Sequence, residues 1–190
     1  VVCAEKMSSM VNYEDRATCP LFVDGAAAVL MEPTEEPVGF VDGVFHVDGS
    51  GLEHLVYKAG GSAHPTTHET VDAKENCLYQ EGRAVYKSAV MDMFNSSKEV
   101  MERNNLKIED VKWFVPHQAN LRIIEAVGSR LGLSEEQVLV NIQKVGNTSA
   151  ASIPICLDHN KGKLKKGDKI VLTAFGAGFT WGASYLIWGM

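Results

Sequence analysis

The apolar pattern of the chain switches several times between a helical and a strand period after residue 80, and this alternation constrains the fold most. In residues 81–104 the apolar side chains recur at helical spacing, which predicts a long amphipathic helix. Residues 111–115 form a short apolar run that Pro116 stops, as expected of a buried strand. Apolar residues at helical spacing then run from residue 121 to Gly132 and predict a second helix.

The last third of the chain continues this alternation. Ser134 and Gln137 form a possible capping box for a short helical turn, and the mostly apolar residues 138–142 after it predict a strand. Residues 169–175 and 179–188 predict two strands around a glycine-rich turn. Strands that alternate with helices and end in a strand pair favour an α/β fold, a layered mixed sheet with packed helices.

The first 80 residues are less regular. An apolar start at residues 1–4 and the runs at residues 39–47 and 53–58 predict short strands. Prolines and glycines interrupt the stretch from residue 32 to 73, which indicates a long irregular connection. Val1 replaces an initiator Met, so we expect a chain cut from a longer one or processed at its start.

Composition excludes several classes of partner. With 45% hydrophobic and 22% charged residues, the 190-residue chain has enough apolar material for a compact core. The net charge of −6 argues against nucleic acid as a partner, because phosphate attraction needs a cationic face. No apolar run reaches the roughly 18 residues that span a bilayer, so we expect no membrane partner and a cytoplasmic location.

The cysteines show no spacing that indicates a metal site or a disulfide framework. Cys3, Cys19, Cys77 and Cys156 are scattered, with no CxxC pair and no histidine at ligand spacing. We therefore expect free thiols and no bound metal.

Two turns that follow apolar strands carry polar side chains. His117 comes directly after the strand ended by Pro116, where it is placed to donate or accept at a site, or could merely cap the next helix or satisfy a buried carbonyl. Asn147 follows Gly146, which allows close backbone approach, and it could equally be a helix N-cap. Ligands usually bind at strand ends in α/β sheets, so both turns are candidate site segments.

A third turn lies between the last two predicted strands. Gly176 and Gly178 permit a backbone turn whose amide groups could face an oxyanion, although a plain tight hairpin explains them as well.

Three segments together resemble one enzyme family. The segments VPHQANLRII at residues 115–124, GNTSAAS at 146–152 and AFGAGFTWGA at 174–183 are similar to the C-terminal signatures of β-ketoacyl-acyl-carrier-protein synthase III, a thiolase-fold condensing enzyme. EGRAVYK at residues 81–87 and DGAAAVL at 24–30 are also family-like. The resemblance implies the C-terminal half of a two-repeat thiolase-like architecture. Residues 1–45 would be the tail of the N-terminal half and residues 46–190 the C-terminal half.

The resemblance also implies a reaction and its catalytic groups. An acyl group moves from coenzyme A to an active-site cysteine, and malonyl-acyl-carrier protein then loses CO2 and attacks that thioester. His117 and Asn147 would stabilise the enolate oxygen, and the backbone amide of Gly178 would belong to a second oxyanion hole. None of the four cysteines matches the family's nucleophile, so we expect this acyltransferase chain to be inactive on its own.

Binding sites follow from the same resemblance. Asn120 and Arg122 would contact coenzyme A and its pantetheine arm, and Lys87, Arg122 and Arg130 would form a carrier-protein docking surface. The expected partners are acyl-CoA, malonyl-acyl-carrier protein and, in the full-length protein, a second subunit of a homodimer. Coenzyme A enters as a substrate thioester, and no separate cofactor is expected.

Two features weaken or widen this interpretation. Ser129 stands where family members often have a second basic residue beside the position of Arg130, which weakens the carrier-protein inference. A thiolase-fold synthase of secondary metabolism with a different starter, or a non-catalytic module that binds carrier protein or coenzyme A, would also fit the motifs.

Overall fold

The protein is described by a computed structural model that covers residues 1–190. The eight strands are β1 (Val2–Glu5), β2 (Gly25–Ala28), β3 (Gly39–Val47), β4 (Leu55–Val56), β5 (Tyr79–Gln80), β6 (Trp113–Pro116), β7 (Lys169–Gly176) and β8 (Thr180–Ile187). The five α-helices are α1 (His68–Asp72), α2 (Gly82–Arg103), α3 (Leu121–Leu131), α4 (Ile142–Val145) and α5 (Ser152–Asn160).

A four-stranded mixed sheet organises the C-terminal part of the chain. Its strand order is β3-β8-β7-β6. The β3–β8 and β8–β7 pairs are antiparallel, and β6 runs parallel to β7. Strands β1 and β2, and strands β4 and β5, form two further antiparallel pairs outside this sheet. The mixed α/β architecture predicted from the sequence is therefore confirmed.

Side-chain alternation along β6 builds a core on each face of the sheet. Phe114 points into the larger core, which includes buried residues of α2 and α3. Its neighbours Trp113 and Val115 point the other way and pack with Cys156 of α5. Since successive strand residues face opposite sides, the fully buried run of β6 requires helices on both faces. The C-terminal part is thus a helix–sheet–helix sandwich.

Local signals explain where α3 begins and ends. The Asn120 side chain accepts a hydrogen bond from the Arg122 N–H at 2.9 Å, as an N-cap does. At the other end Gly132 takes the left-handed conformation, with φ +78, that commonly terminates a helix. Asn120 and Gly132 therefore determine where the helix after β6 begins and ends.

Two predicted strands differ from the structure. Residues 138–142 form no strand, because only Val138 makes an isolated bridge to Phe114 and Ile142 already begins α4. The backbone N–H groups of Asn141 and Ile142 bond instead to the side chain of Gln118. The strand expected at residues 53–58 is reduced to Leu55–Val56.

The proposed division after residue 45 lies inside β3, which pairs with β8 on both sides of that point, and the division stays a prediction. None of the helices combines the length and apolar character needed to cross a bilayer.

Candidate active site

All three motif turns line one cavity of about 860 Å³. His117 follows β6, Asn147 follows α4, and Gly176 and Ala177 lie at the turn between β7 and β8. Much of the remaining wall is apolar, with Met7, Met10, Phe22, Leu78, Met93 and Phe175 among its residues. A few polar groups in a mostly apolar cavity are typical of a small-molecule site.

His117 is held at both its backbone and its ring. Its N–H donates to the Thr173 carbonyl at 2.7 Å, which extends the parallel pairing of β6 with β7. Its Nδ1 lies 2.6 Å from the Ser152 Oγ, while Nε2 makes no hydrogen bond within the chain. Burial lowers the pKa of His117 to about 4, so the imidazole is neutral at pH 7. The ring can therefore offer one nitrogen to a ligand in the cavity.

Asn147 is fixed by the segment that crosses beside it. Its backbone N–H donates to the Leu21 carbonyl at 3.0 Å, and its carbonyl accepts from the Val23 N–H at 2.9 Å. Gly146 is required next to it, since an added Cβ would lie 2.8 Å from the Val23 side chain. The turn thus brings Asn147 into the cavity.

The amide of Asn147 is oriented by a local turn. Its Oδ1 accepts the Ser149 N–H at 2.9 Å, and its Nδ2 makes no hydrogen bond within the chain. The N-cap alternative is met in part, because Thr148 directly precedes the short 3-10 helix Ser149–Ala151 but makes no side-chain cap bond, whereas the Asn147 Oδ1 accepts the N–H of the first residue of that helix. Asn147 therefore keeps an N–H donor available in the cavity.

Gln118 connects the two donor-bearing turns. The side chain is fully buried, and its Nε2 donates to the carbonyls of Pro116 at 2.8 Å and Leu139 at 3.3 Å. Its Oε1 accepts the N–H groups of Asn141 at 2.9 Å and Ile142 at 3.2 Å. One side chain thereby ties the end of β6 to the segment that leads into Asn147.

The third turn lines the cavity, but with residues other than the predicted Gly178. Gly176 and Ala177 line it, whereas Gly178 does not. Gly178 has φ +127, which favours glycine, and its N–H makes no hydrogen bond within the chain. A role for this amide in an oxyanion hole stays a prediction.

The rim of the cavity carries two cationic side chains. Arg83 of α2 and Arg122 of α3 both line it, and Glu5 is its one carboxylate. The Arg122 guanidinium carbon lies 5.6 Å from the centre of the Tyr86 ring, at cation–π distance. Asn120 also lines the cavity while it caps α3. The rim therefore suits an anionic ligand.

The other two predicted docking residues lie elsewhere. Lys87 and Arg130 are exposed and do not line the cavity.

Sequence reasoning missed three residues of this site, namely Arg83, Tyr86 and Ser152. The first two lie in the family-like segment at residues 81–87, and their spacing of three positions places them on one face of the predicted long helix, which could have drawn attention to them. Ser152 meets His117 across 35 residues, which no local pattern indicates.

None of the four cysteines lines the cavity. Cys156 is fully buried, and burial raises the pKa of its thiol to about 12. It is therefore protonated at neutral pH and unsuited to nucleophilic attack. The chain contains no group of three side chains placed to hold a metal ion.

Comparison with known proteins identifies the family. The family model described as 3-oxoacyl-[acyl-carrier-protein] synthase III C terminal matches residues 101–188, and the synthase III model matches residues 1–49. The chain belongs to the 3-oxoacyl-[acyl-carrier-protein] synthase III family. The β-ketoacyl-acyl-carrier-protein synthase III of Porphyromonas gingivalis is 60% identical over 99% of this chain.

Solved structures of a synthase III and of a priming β-ketosynthase show the same fold. The Thermus thermophilus enzyme superimposes with a TM-score of 0.89 at 41% identity over 100% of this chain and 58% of its own. The priming β-ketosynthase of the R1128 polyketide pathway gives a TM-score of 0.86 at 32% identity, over 100% of this chain and 56% of its own. The thiolase-like fold predicted from the motifs is confirmed. The chain spans 56% of the length of the Porphyromonas gingivalis relative.

Proposed function

We propose that this chain supplies the enolate-stabilising half of a condensing site that joins an acyl group from acyl-CoA to malonyl-acyl-carrier protein. Loss of CO2 from the malonyl thioester leaves an enolate. Its carbon forms the new C–C bond with an enzyme-bound acyl thioester, whose C–S bond breaks to release the thiolate. The N–H donors of His117 and Asn147 would bond the enolate oxygen. The observation that carries the proposal is that both side chains line one cavity with a ring or amide nitrogen unpaired within the chain.

Electrostatics support donation rather than base catalysis by His117. A histidine with its pKa held near 4 by burial is a weak base, and at pH 7 its neutral ring still has one N–H that can donate a hydrogen bond. Donors fixed before reaction stabilise the negative charge that develops in the transition state, and this needs no reorganisation. The backbone bonds of His117 and Asn147 supply that fixation.

The acyl-carrying cysteine is the second part of the proposal. Since no cysteine of this chain lines the cavity, we propose that a polypeptide of the relatives' length supplies the nucleophile and that these 190 residues alone do not turn over. A cytoplasmic location and a homodimer belong to the same proposal.

The cationic rim supports an anionic acyl donor. Arg83 and Arg122 would attract the phosphates of coenzyme A, and Asn120 would bond the pantetheine arm. Carrier-protein docking by Lys87 and Arg130, together with Arg122, would extend this surface outside the cavity.

A full-length chimera tests the proposal. The residues of the Porphyromonas gingivalis relative that precede its matched region are joined ahead of Val1, and acyl transfer and condensation are measured separately. We expect both steps in the chimera and neither in the 190-residue chain. His117→Ala or Asn147→Ala should slow condensation about 10²- to 10³-fold, with a smaller effect on acyl transfer. A chimera that transfers acyl groups and does not condense would refute the proposal, as would equal losses in both steps.

A priming synthase of polyketide formation is the second candidate. The similarity to the R1128 priming β-ketosynthase favours it. The chimera distinguishes the two by the carrier protein that it accepts, fatty-acid or polyketide. A protein that captures carrier protein without any acyl labelling would instead be a non-catalytic binding module.

A further inference from the structure

Ser152 is placed to control the protonation state of the His117 ring. It is the first residue of α5 and is fully buried. Its Oγ lies 2.6 Å from His117 Nδ1 and also accepts the backbone N–H of Gln118 at 3.3 Å. The hydroxyl thus has two partners, and one of them can only donate to it.

The available partners decide which atom carries the proton between Ser152 and His117. If Nδ1 carried the hydrogen, Oγ would accept both from Nδ1 and from Gln118, and its own O–H would have no acceptor within the chain. If the hydroxyl donates to Nδ1, all three groups are satisfied. Buried polar groups in folded proteins are nearly always paired, so the second arrangement is favoured.

We propose that Ser152 is a positioning residue that keeps His117 in the tautomer with its proton on Nε2, the nitrogen that has no other partner in the chain. The catalytic consequence rests on the function proposed above, whereas the tautomer itself does not. With Nε2 protonated, His117 presents a donor. The opposite tautomer would turn a lone pair toward the enolate oxygen and repel it.

The tautomer can be measured directly on the 190-residue chain. Histidine is labelled with 15N, and two-bond 1H–15N correlations at pH 7 show which ring nitrogen carries the proton, with His117→Gln used to assign the His117 signals. We expect a protonated Nε2 and an unprotonated Nδ1 that accepts a hydrogen bond. A proton on Nδ1 in the unaltered chain would overturn the proposal without any activity assay.

Three variants test whether Ser152 determines the tautomer of His117. Ser152→Ala should move the Nδ1 resonance toward that of a nitrogen without a donor and should populate the other tautomer. Ser152→Thr keeps the hydroxyl and should restore the original spectrum. Ser97→Ala is the matched control, because Ser97 is also fully buried but bonds to the Met93 carbonyl within α2. Unchanged His117 signals in a folded Ser152→Ala protein would overturn the proposal.

A kinetic comparison in the full-length chimera separates positioning from general destabilisation. We expect Ser152→Ala to lower kcat of condensation about 10- to 100-fold, the range known for partners that orient metal-bound imidazoles. Acyl transfer and the KM for acyl-CoA should stay near their original values, and Ser152→Thr should recover condensation. A changed tautomer with unchanged condensation would confirm the positioning by Ser152 and refute the enolate-stabilising role of His117.

Discussion

The inner corner of the cavity and its rim are held in opposite ways. At the corner, His117 and Asn147 are fixed by backbone bonds, by the buried Ser152 hydroxyl and by the four hydrogen bonds of Gln118. At the rim, Arg83 and Arg122 are exposed, and Arg122 packs over the Tyr86 ring of α2.

This difference in rigidity between the corner and the rim agrees with their proposed roles. Donors to a developing charge act well only when they are already in place, so the buried, hydrogen-bonded surroundings suit the corner. Attraction of a phosphate tolerates flexible side chains, because charge acts over distance and without strict geometry. Substitutions at the corner should therefore cost more than substitutions at the rim.

The largest effect on stability is expected at Gln118. Gln118→Leu has a similar volume but removes four hydrogen bonds from buried backbone groups. Each unpaired group costs about 1–3 kcal/mol, and we expect a total loss of about 3–5 kcal/mol in the free energy of unfolding, measured by urea denaturation. Gln143→Leu is the control. Gln143 is exposed in α4, and its replacement should change stability by less than about 0.5 kcal/mol. Equal losses in the two variants would contradict the role given to Gln118.

The buried imidazole predicts a pH dependence of intermediate size. His117 has a pKa of about 4 in the folded chain against an ordinary value of 6.5. Between these values the unfolded chain binds a proton that the folded chain does not, so the stabilisation is complete above pH 6.5 and is lost as the pH falls toward 4. From pH 7.5 to pH 5 we expect about 1–2 kcal/mol from this group.

His117→Gln should remove that part of the pH dependence in urea denaturation at the two pH values. Gln143→Leu serves again as the control, since Gln143 is exposed in α4 and has no titratable group, so its replacement should leave the slope unchanged. An NMR titration in which His117 gains its proton near pH 6.5 would show that the ring is not buried as described.

The smallest effects are expected at the rim. Arg83→Ala and Arg122→Ala should each weaken binding of coenzyme A to the full-length chimera about 3- to 5-fold, which corresponds to an exposed ion pair of about 0.6–1 kcal/mol. The loss should shrink as salt is raised from 0.05 to 0.5 M, since exposed charges are screened. Arg130→Ala, outside the cavity, is the control for calorimetry. A loss for Arg130→Ala as large as that for Arg122→Ala would shift the binding site away from the described rim.

Local patterns predicted most of the sheet and the two main helices. The strand pair around Gly178, the helix of residues 81–104 and the end of α3 at Gly132 all have signals within a few neighbouring residues. Residues 138–142 show the limit of such signals. Their apolar pattern is that of a strand, but the backbone of Asn141 and Ile142 is bound by Gln118, more than 20 residues away.

The same distinction between local signals and contacts of distant residues applies to the site. The motifs predicted that His117 and Asn147 act together, and the cavity contains both. The tautomer of His117 could not be predicted, because it depends on Ser152 and therefore on how α5 packs beside β6. Arg83 lies in a family-like segment, yet only the packing of α2 against α3 shows that it lies at the same rim as Arg122.

A double-mutant cycle at the corner tests most directly whether His117 and Asn147 act on one oxygen. Condensation rates of the full-length chimera are measured for His117→Ala, for Asn147→Ala and for both together. If the two donors share the enolate oxygen, the condensation rate of the double variant falls by clearly less than the product of the two single-variant factors. This corresponds to a coupling energy of about 1 kcal/mol or more. Strictly multiplicative losses, or a single variant that condenses at the unaltered rate, would contradict the shared site.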